Sequence, residues 1–320
     1  MLRSFLIYLS HAEWARQMVT NWSFAWRAAS RFVAGEKLED AIRVVKALNA
    51  KGIHGTLDHL GEHTNSESKA VQATEDILTA LKAIEQTGVK SNVSIKLTQI
   101  GLALDEEMCA ENMKRILEYS ENKGTFVRID MEDSPWVDQT LGIYYRMYEE
   151  CDCKNMGVVI QSYLYRSVED VEKLMIEGTR VRLCKGAYKE PPDIAYPKKS
   201  DVDANYDRLA AMLIDSALEH NAPEISANGR IPPIPAIASH DEQRISYAKQ
   251  YARKVGLSRL ALEFQMLNGI RRDLQEQLAE EGYPVRVYIP YGTEWYPYFT
   301  RRLAERPANL WFFFSNLIRR

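Results

Sequence analysis

The sequence predicts an α/β protein, a (β/α)8 barrel preceded by a helical arm, and three observations predict it. Short runs rich in β-branched residues recur between long helical stretches, and they do so eight times. Regular alternation of that kind means a parallel sheet, and eight units close naturally into a barrel. Charged residues inside those runs fall toward their C-terminal ends, where barrel proteins build their sites. A chain of 320 residues also suits one barrel of about 250 residues with an extension. An open eight-stranded sheet is the other architecture this alternation allows.

Residues 1 to about 50 read as wholly helical, with Phe24, Ala25, Ala28 and Phe32 at helical spacing, and form the arm. The opening MLRSFLIYLSHAEW has a short apolar run and no small-residue cleavage site, so it reads as an amphipathic helix rather than a signal peptide. Barrel residues 51–310 begin with the strand IHGTLDHL (53–60) and a helix over 67–88. NVSIKL (92–97), TFVRIDM (125–131) and GVVIQSY (157–163) follow, with helices over 106–123, 136–152 and 167–177, the last opened by the cap candidate Ser167. RVRLCKG (180–186) leads into KEPPDIAYPKKSDVDANY, an irregular loop in which Pro191, Pro192 and Pro197 block helix and ladder alike, and which suits a lid over the mouth. A helix over 201–220, the strand IPAIAS (234–239) and a helix over 241–256 capped by Asp241 come next. LALEF (260–264), a helix over 266–281, VRVYIP (285–290) and a helix over 292–304 complete the set. Residues 311–320 form an aromatic and basic tail, in which Trp311, Phe312, Phe313 and Phe314 precede Arg319 and Arg320; it suits a membrane interface, a partner chain or packing against the body.

Hydrophobic residues at 46% and charged residues at 27% are ordinary globular values, so a sizeable core is expected. Forty-one basic against 44 acidic residues leave a net charge of −3, which offers no attraction to a polyanion and argues against nucleic-acid binding. Cys109, Cys151, Cys153 and Cys184 include no C-x-x-C, so neither a disulfide framework nor a metal site is supported, and a reducing cytoplasmic compartment fits best. No stretch reaches the roughly 18 apolar residues of a membrane span. Rossmann and P-loop glycine patterns are absent, as are serine and cysteine nucleophile signatures.

Barrel strands covered on both faces should be nearly all apolar, so charges inside these runs are informative. Lys96, Arg128, Asp130, Gln161 and Arg182 are such charges and polar groups, Lys185 and Tyr188 follow the fifth strand, His240 closes the sixth, and Gln265 follows the seventh. Near the C-terminus Tyr298, Arg301, Arg302 and Glu305 fall at i, i+3, i+4 and i+7, one face of a helix that starts over a strand end. Paired guanidinium groups beside a phenol suit a small ligand with a carboxylate head and an apolar body, whereas a solvated face with an Arg301–Glu305 pair is the plainer alternative. The residues alone leave the reaction open. A Schiff-base aldolase using Lys96 or Lys185, or a non-catalytic barrel docking a partner, would share this frame.

SIKLTQIG, VRIDMED, VVIQSYLYR, RVRLCKGAY, the SH of IASHDE, LEFQMLNGI and VRVYIPYGTEWYPYFTRRLAERPAN together resemble the strand-end signatures of the proline dehydrogenase family, over about residues 50–310. The form resembled is the monofunctional bacterial one, since the chain has no room for an aldehyde dehydrogenase domain. The resemblance implies FAD-dependent oxidation of L-proline to Δ1-pyrroline-5-carboxylate, the first step of proline catabolism, by hydride transfer to flavin N5. It also implies electrons passed to a membrane quinone, hence a cytoplasmic protein with a peripheral contact at the inner membrane.

By the same resemblance Lys96, Arg301 and Arg302 bind the substrate carboxylate, and Asp130 hydrogen-bonds Tyr288. Tyr288, Tyr298 and Leu183 pack around the pyrrolidine ring, with the Tyr288 phenol disfavouring a ring hydroxyl. Arg182 lies near flavin N5 and Gln161 at the isoalloxazine edge. Lys185 and His240 run along the ribityl and pyrophosphate, and Glu305 lies near the adenosine. Gly186, Ala187, Tyr188, Ser239 and Gln265 complete the expected cofactor contacts. Glu62 matches a glutamate that pairs with Arg301 and closes over bound substrate. Departures from the family pattern are His59 for an apolar residue, Lys189 for an aromatic and Ser239 for a threonine.

Overall fold

The computed structural model describes residues 23–62, 64–151 and 153–305. The first part of the predicted arm, residues 1–22, and the aromatic tail 311–320 lie outside the described residues. Eight parallel strands close into a barrel in sequence order, as the alternation predicts: β1 (His54–His59), β2 (Ser91–Ile95), β3 (Val127–Ile129), β4 (Met156–Gln161), β5 (Arg180–Cys184), β6 (Pro235–Ala238), β7 (Glu263–Leu267) and β8 (Val285–Tyr291). Helices α1 (Ser23–Ala29) and α2 (Leu38–Asn49) precede the barrel. Between strands run α3 (Glu67–Thr87), α4 (Glu106–Asn122), α5 (Val137–Cys151), α6 (Ser167–Ile176), α7 (Lys199–Glu219), α8 (Glu242–Val255) and α9 (Arg272–Glu280), and α10 (Trp295–Glu305) follows β8.

Strand pleat sorts the side chains. Asp58 pairs in register with Ser94, Ser94 with Arg128, Arg182 with Ala236, Ala236 with Glu263 and Gln265 with Arg286, so these residues share one face of the sheet. That face turns inward. The alternate residues, among them Leu57, Ile95, Ile129, Ile160, Leu183, Ile237, Phe264 and Val287, face the helices and form the main apolar core. The expectation of apolar strands with polar exceptions at their ends therefore holds for only one face. The inner face carries polar groups from mouth to floor among smaller apolar ones such as Val159 and Ala236, because Arg128, Glu263 and Arg286 find partners there. Arg286 donates to Glu263 Oε1 and Oε2 at 3.0 Å from Nε and Nη2 respectively, and both residues are fully buried. Arg128 lies in this floor rather than at the rim, its Nη1 donating to the carbonyl oxygens of Val158 and Arg180. Gly157 makes room for it, since a Cβ there would stand 2.8 Å from Arg128 Nη1 and 2.0 Å from the Arg180 oxygen.

The seventh strand differs from its predicted position. Arg259–Ala261 forms a single 3-10 turn with Ser258 Oγ accepting the Leu260 N–H, so the strand starts at Glu263 and continues to Leu267. The apolar LAL run suggested an earlier start, but Gln265 tolerates a strand interior because both ends of its amide are bonded inside the barrel. The following helix accordingly begins at Arg272 rather than 266. Asp241 caps α8 by accepting the Gln243 N–H, whereas Ser167 is already helical and donates to the Leu164 oxygen.

A second apolar cluster lies where the arm meets α10. Ala25, Ala29, Phe32 and Val33 pack with Leu60, Ile270, Trp295, Tyr298, Phe299 and Leu303, and the rings of Trp26 and Trp295 meet edge-on at 5.4 Å. Gly269, at φ +75°, lets the β7 turn approach the arm, for a Cβ there would stand 1.8 Å from the Arg31 oxygen. Asn268 Nδ2 donates to the Phe32 oxygen at 3.1 Å, which pins the arm to the end of β7. These contacts hold α10 across the barrel mouth.

Candidate active site

Lys96 follows β2, and its ammonium reaches Asp58 Oδ1 at 3.2 Å, the Tyr288 hydroxyl at 3.4 Å and Asp130 Oδ2 at 3.7 Å. Burial disfavours its charge, but Asp58 and Asp130 outweigh that and raise its pKa above the usual lysine value. Lys96 is therefore a fixed cation and a poor amine nucleophile, which counts against Lys96 as the nucleophile of the Schiff-base alternative. Asp58 is fully buried, and burial pushes its carboxyl above the usual carboxylate value against the pull of Lys96. Tyr288 donates to Asp130 Oδ2 at 2.8 Å. Burial and the adjacent Asp130 carboxylate hold that phenol well above its usual value, so it stays protonated and donates.

Arg182 meets the same carboxylate from β5. Its Nη1 donates to Asp130 Oδ1 at 2.6 Å and to Ser94 Oγ at 3.0 Å, and its Nε donates to Gln265 Oε1 at 2.5 Å. The guanidinium carbon stands 5.3 Å from the Tyr288 ring centre. Two of its three nitrogens are thus held inside the barrel. Among the described residues Nη2 has no hydrogen-bond partner.

From above, α10 brings Arg301 and Arg302 over the mouth. Arg301 forms a two-pronged pair with Glu62, Nη2 to Oε1 at 2.6 Å and Nη1 to Oε2 at 2.8 Å. Burial opposes the Arg301 charge, and Glu62 more than restores it. The Arg302 guanidinium lies 5.1 Å from the ring centre of buried Tyr298. Tyr188 joins this group, for burial and the Glu62 carboxylate push its phenol upward while Arg301 pulls it down. Arg301 thus pairs with Glu62, while the side chain of Glu305, its partner in the plainer alternative, lies outside the described residues.

The remaining expected cofactor contacts spread along β4 to β7. Gln161 donates from Nε2 to the Glu132 oxygen at 2.9 Å. Lys185 sits between Asp203 Oδ1 at 2.5 Å and Asp241 Oδ2 at 2.7 Å, beside the N-termini of α7 and α8. His240 Nε2 accepts the Leu267 N–H at 3.0 Å, which places its proton on Nδ1. Ser239 Oγ accepts the Asp241 N–H at 3.0 Å. Gly186, at φ +116°, lies against Tyr163, where a Cβ would stand 2.4 Å from the ring, and Ala187 follows it. Gln265 reaches the mouth only through Arg182.

Leu183 is a correction. It follows Arg182 on β5, so when Arg182 points inward Leu183 points toward the helices, and it is fully buried in the outer core. The apolar wall beside Tyr288 and Tyr298 comes instead from Leu267, which packs with Tyr288 against the second cluster. Sequence reasoning missed Leu267 because it ended the seventh strand three residues too early. It also missed Asp58, although Asp58 shares the parity of inward Thr56, and Glu132, whose Oε2 accepts the Thr98 hydroxyl at 2.6 Å.

A closed barrel whose mouth gathers Lys96, Arg182 and Arg301 of α10 with their carboxylate partners around buried phenols is a (β/α)8 protein with its candidate site at the C-terminal ends of the strands. The chain belongs to the proline dehydrogenase family, whose model, described as proline dehydrogenase, matches residues 41–313. It is 42% identical over 297 residues to proline dehydrogenase of Deinococcus radiodurans, covering 92% of this chain and 91% of that protein. It is 38% identical over 323 residues to proline dehydrogenase 1 of Bacillus subtilis (strain 168), covering 100% of both. Among solved structures it resembles proline utilization A from Bdellovibrio bacteriovorus inactivated by N-propargylglycine, with a TM-score of 0.78 and 26% identity over 91% of this chain. This chain spans 33% of that larger one. The family assigns it a flavin-dependent oxidoreductase activity, the oxidation of proline.

Proposed function

We propose that this chain oxidises L-proline to Δ1-pyrroline-5-carboxylate with FAD at the barrel mouth and passes the electrons to a membrane quinone. The observation that carries the reading is the convergence of Lys96, Asp130, Tyr288 and Arg182 in one bonded cluster beneath Arg301 and Arg302. In this reading Lys96, Arg301 and Arg302 take the substrate carboxylate, for which a guanidinium fork has matching geometry. Tyr288, Tyr298 and Leu267 enclose the pyrrolidine ring and exclude water. Asp130 holds Tyr288, Lys96 and Arg182 in fixed relation, so the ring carbon beside nitrogen meets a preorganised surface.

The donor set fits a flavin. Arg182 leaves Nη2 without a hydrogen-bond partner among the described residues, and Lys185 lies near two helix N-termini, held there by Asp203 and Asp241, from which a phosphate would draw it. When bound, FAD would supply the hydride acceptor. Arg182 would lie at its N5 edge and Gln161 beside the ring. Lys185, Gly186, Ala187, Tyr188, Ser239 and His240 would hold the ribityl and phosphates, and Glu305 the adenosine. A cation beside the ring favours the anionic reduced form.

Because quinones are held in the bilayer, a cytoplasmic protein contacting the inner membrane peripherally suits this electron path. No helix among the described residues is long and apolar enough to cross a membrane. The test is the visible spectrum of purified protein before and after anaerobic L-proline. Flavin bands that bleach with proline are expected. Flavin bands that proline leaves unchanged refute the substrate, and a protein unable to take up FAD refutes the cofactor.

A further inference from the structure

A bonded chain descends from the mouth into the barrel floor. Arg182 Nε donates to Gln265 Oε1, Gln265 Nε2 donates to Glu263 Oε1 at 2.5 Å, and Glu263 is held by Arg286. Arg286 is in turn fixed by the backbone, with Nη1 on the Gly55 oxygen at 2.6 Å and Nη2 on the Gly229 oxygen at 2.9 Å. The polarity of this chain has only one solution. An ionised carboxylate accepts and cannot donate, so Glu263 forces the NH2 of Gln265 downward and its carbonyl oxygen upward. That carbonyl is the acceptor Arg182 Nε needs. With Nε bound to Gln265 and Nη1 to Asp130 and Ser94, the guanidinium can neither rotate nor slide, and Nη2 is the nitrogen left without a hydrogen-bond partner among the described residues.

We propose that Glu263, although out of reach of any ligand at the mouth, is a positioning residue that aims Arg182 at the flavin by fixing the amide of Gln265. The inference rests on the flavin reading above. Arg286 balances the Glu263 charge, so the pair contributes orientation rather than net charge. With the lock removed, Gln265 can turn its NH2 toward Arg182. Two donors then face each other, the guanidinium leaves its aim, and the reduced flavin loses stabilisation relative to the oxidised form.

The experiment measures the midpoint potential of bound flavin in the full-length holoprotein by spectroelectrochemistry. The variants are Gln265→Met and the combined Glu263→Met, Arg286→Met, neither of which alters net charge. Each is expected to weaken the preference for reduced flavin about tenfold, a fall of about 30 mV for a two-electron couple. Combining all three substitutions should lower the potential no further, because one linkage is broken twice. KM for proline should move little, since the carboxylate clamp is separate. Should the floor double variant fail to fold, Glu263→Ala decides by sign, since it removes the acceptor that a glutamine would still offer the Gln265 amide. Loss of the negative charge alone raises the potential, whereas loss of the amide's orientation lowers it. Flavin-loaded, folded floor variants with an unshifted or raised potential overturn the inference, and confine Glu263 to its pair with Arg286. A wild-type chain that takes up no flavin refutes the flavin reading and this inference with it.

Discussion

Removing Glu62 separates two roles for Arg301. In the structure the Arg301 guanidinium meets Glu62 through two short charge-assisted bonds of 2.6 and 2.8 Å, and both side chains are 18% exposed. A net gain of about 1.5–3 kcal/mol for a hydrogen bond to a charged group, discounted for solvent screening, puts the pair at about 1.5 kcal/mol. If that energy holds α10 over the mouth, Glu62→Ala must repay the ordering of Arg301 from substrate binding. The apparent KM for proline should then rise about tenfold with kcat within about twofold. Steady-state kinetics with a soluble quinone acceptor reads both quantities, and Glu62→Gln, which keeps one acceptor oxygen, should fall between. An unchanged KM would remove the closing role. A lowered KM would reverse it, because Glu62 would then compete with the substrate carboxylate for Arg301.

Three shorter predictions follow from the barrel interior. Gly157→Ala places a Cβ 2.0 Å from the Arg180 oxygen, so urea unfolding should show a loss of about 2 kcal/mol or more, and a loss under about 0.5 kcal/mol would mean the floor yields freely. His54 is held down to about 4, first by burial and then by Arg286, so the native state resists protonation that the unfolded chain accepts. Its contribution is complete above pH 6.5 and is lost as pH falls toward about 4, worth about 2 kcal/mol once the ring's partial exposure is allowed for. The difference in stability between wild type and His54→Gln should carry that slope, and parallel curves would refute it. Asp58→Asn removes the carboxylate nearest Lys96, and should lower kcat/KM for proline about tenfold or more while leaving the flavin spectrum intact. Unaltered kinetics would make Asp58 structural only.

How much of this was legible depends on the range of the interaction. The eight strand–helix units were visible because the outward residues of each strand are apolar, which is a local property. Lys96, Arg182 and the Arg301–Arg302 pair stood out as charges at strand ends and on one helix face. Their convergence did not, since Tyr288 and Asp130 lie 158 residues apart in sequence and meet only on closure; the family resemblance supplied that expectation. Leu183 was avoidable, because an inward Arg182 already requires its neighbour to face out. Leu267 and Asp58 were harder. The first needed the true start of β7, which the LAL run disguised, and the second needed the register of β1 against β2 and β8. Glu263 and Arg286 were passed over among the strand charges, and only the barrel's closure sets them against each other.

The interior charge balance shows how such a polar barrel is held together and, in the proposed reading, why its mouth would take an anion. Among the described residues, the inward positions and the ends of β2 and β3 hold Lys96, Arg128, Arg180, Arg182 and Arg286 against Asp58, Asp130, Glu132 and Glu263, one cation more than anions. Burial lowers the pKa of Arg128, but an arginine does not reach the range where it gives up its proton. Arg286 and Glu263 neutralise each other in the floor, and Asp58 and Asp130 are drawn to Lys96 and Arg182 above, which leaves Arg128 beneath Arg182 with no carboxylate partner among the described residues. Its field points up the barrel axis through a medium of low dielectric, where a unit charge acts over a longer distance than in water. In the proposed reading, a ligand that brings negative charge to the mouth completes the balance, as the carboxylate of proline and a reduced flavin both would. Arg128→Met should accordingly lower the potential of bound flavin while leaving the carboxylate clamp in place. A potential unaffected by that substitution in folded, flavin-loaded protein would show that the excess charge is screened within the floor.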